Sequence, residues 1–443
     1  MTKSIKLALV AAMAMGATSA FATNGDNLIG TGTNSRAMGG VGIAKSFGAE
    51  SGLANPALIS TVKDMEVAGS ATFFMPSVSF QSDAMSNANP GLPAPISADS
   101  AADFSVIPEI SFAQRINDNI VYGVSVTGTA GMGVDYGDVG FAPQGGASDN
   151  GAFKMKTALQ LLKVAVPFSY SKGGFSIGVA PILQYGTLEM SHMIGNPNAT
   201  GPADAFILLD EGVGSDTSLG YEVGFSATND GFTFGLVYKS ELRMNYANTI
   251  SSSINAFGGA AATGVASGDN LDQPAEFGMG LAYEVSGSTI SLDYKNMAWG
   301  EAAGYADFGW ENQDIFALGY EYAGSNWAVR AGYNYAKSPI VEQKASSPQA
   351  AYGAAVRNFF NLAGFPGIVE SHYTAGGSYS VSDSLSLDTA VVYAAEVTES
   401  FSTAGMTQGF IAQGGGTPTG AETSSADVTH SQIAVTVGVT YKF

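Results

Sequence analysis

Gln432-Ile433-Ala434-Val435-Thr436-Val437-Gly438-Val439-Thr440-Tyr441-Lys442-Phe443 is the stretch on which the reading of this chain turns. Ile433, Val435, Val437, Val439, Tyr441 and Phe443 fall on one face, and the small and polar residues between them fall on the other. Strict two-residue alternation marks a β-strand with one apolar and one polar side. A soluble sandwich would turn the apolar side to a core, and its chain would rarely stop on an aromatic.

Terminal Phe443, with Tyr441 two residues earlier, resembles the closing signal of bacterial outer-membrane barrels. Working outward from it, strands are expected near 63–82, 103–116, 120–136, 155–170, 173–191, 217–229, 231–247, 272–285, 288–299, 312–323, 326–337, 368–381, 384–398 and 430–443. Asn117-Asp118-Asn119, Ser171 to Gly174, Asn229-Asp230-Gly231, Ser286-Gly287-Ser288, Gly324-Ser325-Asn326 and Ser382-Asp383-Ser384 form tight connections, and longer loops alternate with them. Fourteen strands, short turns at one end and long loops at the other predict an all-β fold, a 14-stranded antiparallel transmembrane β-barrel with its turns in the periplasm. Several strands exceed the roughly 9–11 residues that span a bilayer, so they should project beyond its outer surface.

The same alternation assigns faces. Phe232, Phe234, Leu236 and Tyr238 point to lipid, leaving Lys239, Glu241 and Arg243 inside; Trp327, Val329 and Tyr333 point out, with Arg330 and Asn334 inside. Lys163, Asp293 and Lys295 also point inward. A charge on the lipid face near the midplane would cost about 2–4 kcal/mol, so inward placement supports the register.

Lys3 and Lys6, the apolar run Leu7 to Gly16 and Ala20-Phe21-Ala22 have the order of a signal peptide over residues 1–22, cleaved before Thr23. The formal charge is −20, with 18 lysines and arginines against 38 acidic residues, which disfavours nucleic acid as a partner. The sequence has no cysteine, so it offers no disulfide and no thiolate metal site. His192, His372 and His430 are too scattered to argue a metal site, and no serine or cysteine arrangement points to catalysis. No cofactor is expected.

Between the signal and the first strand, residues 23–62 show neither strand alternation nor a helical stripe. A barrel of this size leaves a lumen, and this segment is expected to fill it as a plug, or hatch, ahead of a barrel over 63–443. Gly30-Thr31-Gly32, Arg36-Ala37, Gly39-Gly40 and Asn55-Pro56-Ala57-Leu58-Ile59 resemble the FadL/TodX family of outer-membrane transporters for long-chain fatty acids and hydrocarbons. The likeness continues through Ile107-Pro108-Glu109, Tyr238-Lys239-Ser240, Gln273-Pro274-Ala275, Asp293-Tyr294 with Trp299, and Phe365 to His372.

That resemblance implies a channel for hydrophobic cargo in the outer membrane, not an enzyme. Extracellular loops would capture the cargo, a pocket in the barrel would receive it, and plug movement with a wall opening would release it sideways into the membrane. Arg36, Asn55, Pro56 and Ala57 would belong to the gating plug, and Gly128, Gly131 and Gly133 would mark the opening in the third strand. Asn55-Pro56 suits a hinge or an ordinary turn, and glycines within a strand suit a bend or simple packing on the plug. Phe206, Ile207, Leu208 and Leu209, with Phe359, Phe360, Leu362 and Phe365, are apolar groups in expected loops, for capture or for packing the loops together. Lys163, Lys239, Arg243, Lys295 and Arg330 could take a carboxylate head group or pair with acids such as Glu241 and Asp293. Expected partners are membrane lipid and lipopolysaccharide, and the barrel-assembly machinery during biogenesis, for a monomer. The leading alternative, a porin for small polar solutes, would need neither a plug nor apolar loops.

Overall fold

The computed structural model describes residues 24–88, 95–139, 153–195 and 206–443. The expected signal peptide lies outside the described residues. The strands are β1 (Met65–Ser82), β2 (Ile96–Asp99), β3 (Ser105–Arg115), β4 (Ile120–Val139), β5 (Phe153–Ala165), β6 (Phe168–Lys172), β7 (Phe175–Gly195) and β8 (Phe206–Asn229). They continue as β9 (Phe232–Lys239), β10 (Glu276–Val285), β11 (Ser288–Met297), β12 (Gln313–Ala323), β13 (Trp327–Ala336), β14 (Ser371–Ser380), β15 (Leu385–Ser402) and β16 (Ser425–Lys442). Each pairs antiparallel with its neighbour, and β16 pairs with β1 over Glu66↔Lys442 to Ser82↔Ala426, which closes the sheet. β2 is a short addition beside β1, and β5 and β6 are two pieces of one wall strand, so the closed wall has 14 strands. Closure removes the sheet edges, whose unpaired amides lipid could not satisfy.

All six expected tight connections lie between paired strands. At Asp230-Gly231 and Ser286-Gly287 both central residues have positive φ, 48° and 82° in one turn and 50° and 80° in the other. This is the type I′ geometry whose twist matches a two-residue hairpin. The faces also follow the alternation: on β16, Gln432, Ala434 and Thr436 are buried inside while Ile433, Val437 and Tyr441 are exposed outside.

Four expectations need correction. The strand predicted over 155–170 breaks at Val166-Pro167. Pro167 has no amide hydrogen, its carbonyl accepts from Gly123, and Val166 donates across to the Pro181 carbonyl. The loop predicted around 192–216 is mostly the top of the long β7–β8 hairpin, so Phe206 to Leu209 are strand residues paired with Gly195 to His192. The strand predicted over 231–247 ends at Lys239; beyond it the continuous ladder gives way to the isolated bridges Leu242↔Gln273 and Asn245↔Asn270 and to single bonds such as Ser240 to the Tyr221 carbonyl and Met244 to the Asp272 carboxylate. Arg243 therefore leaves the barrel wall, and its side chain is 84% exposed, 3.9 Å from Glu241. Finally, the loop over 338–367 contains a helix, Ala351–Ala363, whose buried side includes Val356, Phe360 and Leu362.

Residues from Asn24 to Val62 sit against the inner face of strands all round the wall. They form a short helix, Thr33–Ala37, and two 3-10 turns, Gly48–Leu53 and Pro56–Thr61. The backbone of this segment comes so near the wall that side chains are excluded. A Cβ on Gly178, Gly235 or Gly332 would overlap the backbone of Pro56, Ile43 or Met38–Gly39, and one on Gly224 would strike Asn55. These glycines, from β7, β9, β13 and β8, make a seat shaped to the plug.

Candidate functional site

Polar groups of the wall complete the seat. Asp293 of β11 accepts the amides of Gly42 and Ile43 on one carboxylate oxygen, at 2.7 and 2.9 Å. Thr374 of β14 accepts the Gly39 amide, Asn334 of β13 donates to the Gly39 carbonyl, and Glu66 of β1 accepts the Ala49 amide. Between its short helical turns this segment leaves amides without a partner of its own, and these side chains supply what a helix or sheet would supply internally.

Arg36 is fully inside and reaches Glu109 of β3 with both guanidinium arms, at 2.5 and 2.9 Å. Thr127 and Ser70 also donate to that carboxylate, so the buried pair is hydrogen-bonded from several sides. Glu50, below the helix Thr33–Ala37, accepts the Thr33 amide at 3.3 Å. Burial, and after it the carboxylates of Glu109 and Asp388, push its pKa up to about 8.

Asn55 is buried and makes three bonds. It caps the turn Pro56–Thr61 by accepting from the Ala57 amide at 3.0 Å, and it donates to the carbonyls of Ile43 and of Phe225 in β8. Ser169 of β6 holds the Ala57 carbonyl at 2.9 Å. The Asn55-Pro56-Ala57 stretch thus ties two parts of the plug to the wall.

The ladder between β3 and β4 runs from Arg115↔Val121 to Glu109↔Thr127 and stops there, although β4 continues and β3 begins earlier. Among the described residues, the next backbone hydrogen bond between β4 and the chain that leads into β3 is from Ala101 to the Asp135 carbonyl. Gly128, Gly131 and Gly133 all lie in the interval. β4 bulges there against β5, between Gly128 and Ala130. On the inner side the start of the plug takes up the freed backbone: Leu28 donates to the Thr129 carbonyl and Gly131 donates to the Asp26 carbonyl, both at 3.1 Å. The rim is apolar, with Phe73 stacked on Phe104 and with Ile107 beneath Gly128.

Asp26 is a contributor that the sequence did not single out. It is fully buried, Tyr305 donates to it, and Gln273 donates to it at 2.9 Å. Burial raises its pKa to about 6 against the lowering effect of those two bonds. Through it the plug start meets an aromatic group of Trp299, Tyr305 and Trp310, whose ring centres lie 4.6–5.3 Å apart. Nothing in the spacing of one aspartate near an expected cleavage site signals this role.

Two cavities flank this arrangement. One, about 70 Å³, lies between plug and wall and is lined by Arg36, Glu109, Lys163, Lys239, Glu276, Asp293 and Lys295 among others. The other, about 140 Å³, lies among the segments at the end of the barrel opposite the tight turns and is lined largely by Met85, Ile96, Met155, Met193, Phe257, Phe359, Phe360, Met406 and Phe410. Phe365 is buried in the same apolar cluster. Ile207 and Leu208 are exposed on the projecting hairpin, away from this cavity. Of the histidines, His192 packs on Phe257 and Phe360 in the upper cavity, whereas His372 and His430 meet inside the wall around Gln432 and Pro366.

A closed antiparallel barrel with an apolar outer face and its own first segment seated against the inner wall has the architecture of an outer-membrane barrel protein. The chain belongs to the family described as outer membrane protein transport protein (OMPP1/FadL/TodX), whose model matches residues 7–348. It is therefore an outer-membrane protein of a family that transports hydrophobic compounds. A long-chain fatty acid transport protein of Salmonella typhi is 24% identical over 352 residues, covering 69% of this chain and 77% of that protein. A Pseudomonas aeruginosa FadL homologue has a similar structure, with a TM-score of 0.66 at 15% identity, covering 95% of this chain and all of that one. The Pseudomonas putida toluene transporter TodX matches with a TM-score of 0.63 at 16% identity, over 95% and 100% of the two chains. These structural likenesses concern the fold.

Proposed function

We propose that the protein captures hydrophobic compounds, long-chain fatty acids or hydrocarbons, among its extracellular segments and releases them sideways into the membrane through the gap between β3 and β4, with the plug as gate. The observation that carries this reading is the end of the ladder at Glu109↔Thr127, directly behind the plug residues bonded to Thr129 and Gly131. The apolar vestibule with Phe359 and Phe360 suits capture. Movement of the Asp26–Leu28 stretch off the β4 bulge would clear the inner side of the gap. Energetics favour a moving part: burying a CH₂ gains about 0.8 kcal/mol, so a static pocket for a long chain would hold it too tightly to release. Release into lipid preserves that gain. Residues 23–62 act as the plug of a barrel over 63–443, after removal of a signal peptide.

The absence of cysteine gives a clean background for a crosslink. A Cβ built on Gly128 lies 4.0 Å from the Ile107 Cβ, within the range that a disulfide bridges. Uptake of a labelled fatty acid and a labelled hydrocarbon would be followed in cells lacking their own transporter, with the I107C/G128C variant. Oxidation should clamp the point where β3 and β4 part and depress uptake, and a reductant should restore it. Full uptake with the crosslink formed would refute lateral release. Entry of small sugars without uptake of either hydrophobic compound would leave a porin.

A further inference from the structure

We infer that the outer wall carries a binding site for one phospholipid of the periplasmic leaflet, with an acyl chain lying in a trough over β7 and β8 and the phosphate at Lys172. The site depends on the membrane location of the barrel and not on the cargo it carries.

The trough follows from side-chain heights along one row of the wall. Phe168, Val179, Val223, Tyr238 and Phe277 stand side by side across β6 to β10, and all five are exposed on the outer face. The two valines form a low strip between Phe168 and Tyr238, which are three strand spacings, about 14 Å, apart. The resulting space is about 660 Å³, and its lining is almost wholly apolar. Its floor includes the backbone of Gly178 and Gly224. The β7–β8 ladder is unbroken there, and Pro56 and Asn55 of the plug bear on those two glycines from within, so the trough is a recess and not a passage.

A hydrocarbon chain in the trough touches protein on three sides, where one on a flat wall touches it on one, so dispersion contact is multiplied. Tyr170 and then Lys172 continue the outward face of β6 toward the tight turn at 171–174, the end that short turns mark as periplasmic. Lys172 is exposed there, where its ammonium can meet a phosphate while its methylenes lie along the apolar edge. The adjoining turns carry Asp118 and Asp230, which suit the ammonium of a zwitterionic head group and disfavour a purely anionic one. An apolar trough that ends at one base thus matches a phospholipid, with the acyl chain toward the midplane and the phosphate at the membrane surface. A second copy of the chain fits poorly, because a two-fold pair would set trough against trough and leave both unfilled.

Native mass spectrometry of the full chain, extracted from outer membranes and stripped of detergent stepwise, should leave one phospholipid bound per chain after other lipid has gone. Delipidated protein is then titrated with palmitoyl-oleoyl phosphatidylethanolamine. Val179→Phe/Val223→Phe fills the trough and should weaken binding about tenfold or more, as the loss of two buried methylenes does. Lys172→Gln should weaken it about threefold, the worth of an exposed ion pair. Val437→Phe, the same change at an exposed position of β16, should bind as the intact protein does. No lipid retained by the intact protein, or equal affinity in the intact and trough-filled proteins, would overturn the site. So would a free fatty acid retained in place of phospholipid, or a dimer that filling the trough dissociates. Should the double variant not reach the membrane, Val179→Phe alone carries the same expectation, and unchanged binding there would count against the site.

Discussion

The lipid-facing wall and the inner seat of the plug use the same strands under opposite rules. Outside, residues such as Leu292, Leu318 and Val437 meet a disordered solvent that accepts any apolar shape. Inside, Gly178, Gly235 and Gly332 meet folded backbone, and Asp293 and Thr374 meet particular amides. Away from the trough over β7 and β8, the outer face is thus specified by hydrophobicity alone, while the inner face is specified atom by atom, which is why it resembles a protein interior.

The strongest way to break that comparison is to exchange one residue on each face of β8. Gly224→Val should expel the Asn55 segment from its seat, and little folded protein should reach the membrane. Leu219→Val, on a lipid-facing side chain 78% exposed, should leave heat-modifiable barrel migration on gels nearly unchanged. Equal damage from both would show that the seat is no more exacting than the wall.

A smaller effect is expected from Arg36→Met. Removing the guanidinium strands Glu109 as a buried charge, at about 3–5 kcal/mol, because the desolvated partner loses its compensation. Thermal unfolding in detergent should fall accordingly, and the double variant Arg36→Met/Glu109→Gln should recover much of the loss. Failure of that recovery would mean the pair matters through shape, not charge.

The smallest effect sharpens the comparison by pH. Glu50 carries a folded pKa raised to about 8 from an ordinary value of 4.5, so the folded state holds its proton more tightly than the unfolded state. Its contribution to stability is complete below about 4.5 and is lost as pH rises through about 8. Protease resistance of the plug should decline over that window in the intact protein, and Glu50→Gln should flatten the decline. An identical profile in both would assign the pH dependence elsewhere.

By itself the sequence determined the wall. Alternation on β16, the glycine-bearing turns at 230–231 and 286–287, and the inward charges at 163, 239, 293 and 295 are local facts that depend only on the two-residue period of a strand. It also marked residues 23–62 as showing neither strand alternation nor a helical stripe, and it brought Asn55, Arg36 and Gly128 to notice by family resemblance. The interruption at Pro167, the extension of β7 and β8 and the departure of Arg243 from the wall were hidden, because each depends on what the neighbouring strand offers as a partner. The site was hidden for the same reason. Asp26 gains meaning only where Tyr305 and Gln273 converge on it, Glu109 only against Arg36, and the β3–β4 gap only where the plug stands in for a missing ladder. Those contacts join residues 73 to 279 positions apart in the chain, and only closure of the barrel around its own first segment brings them together.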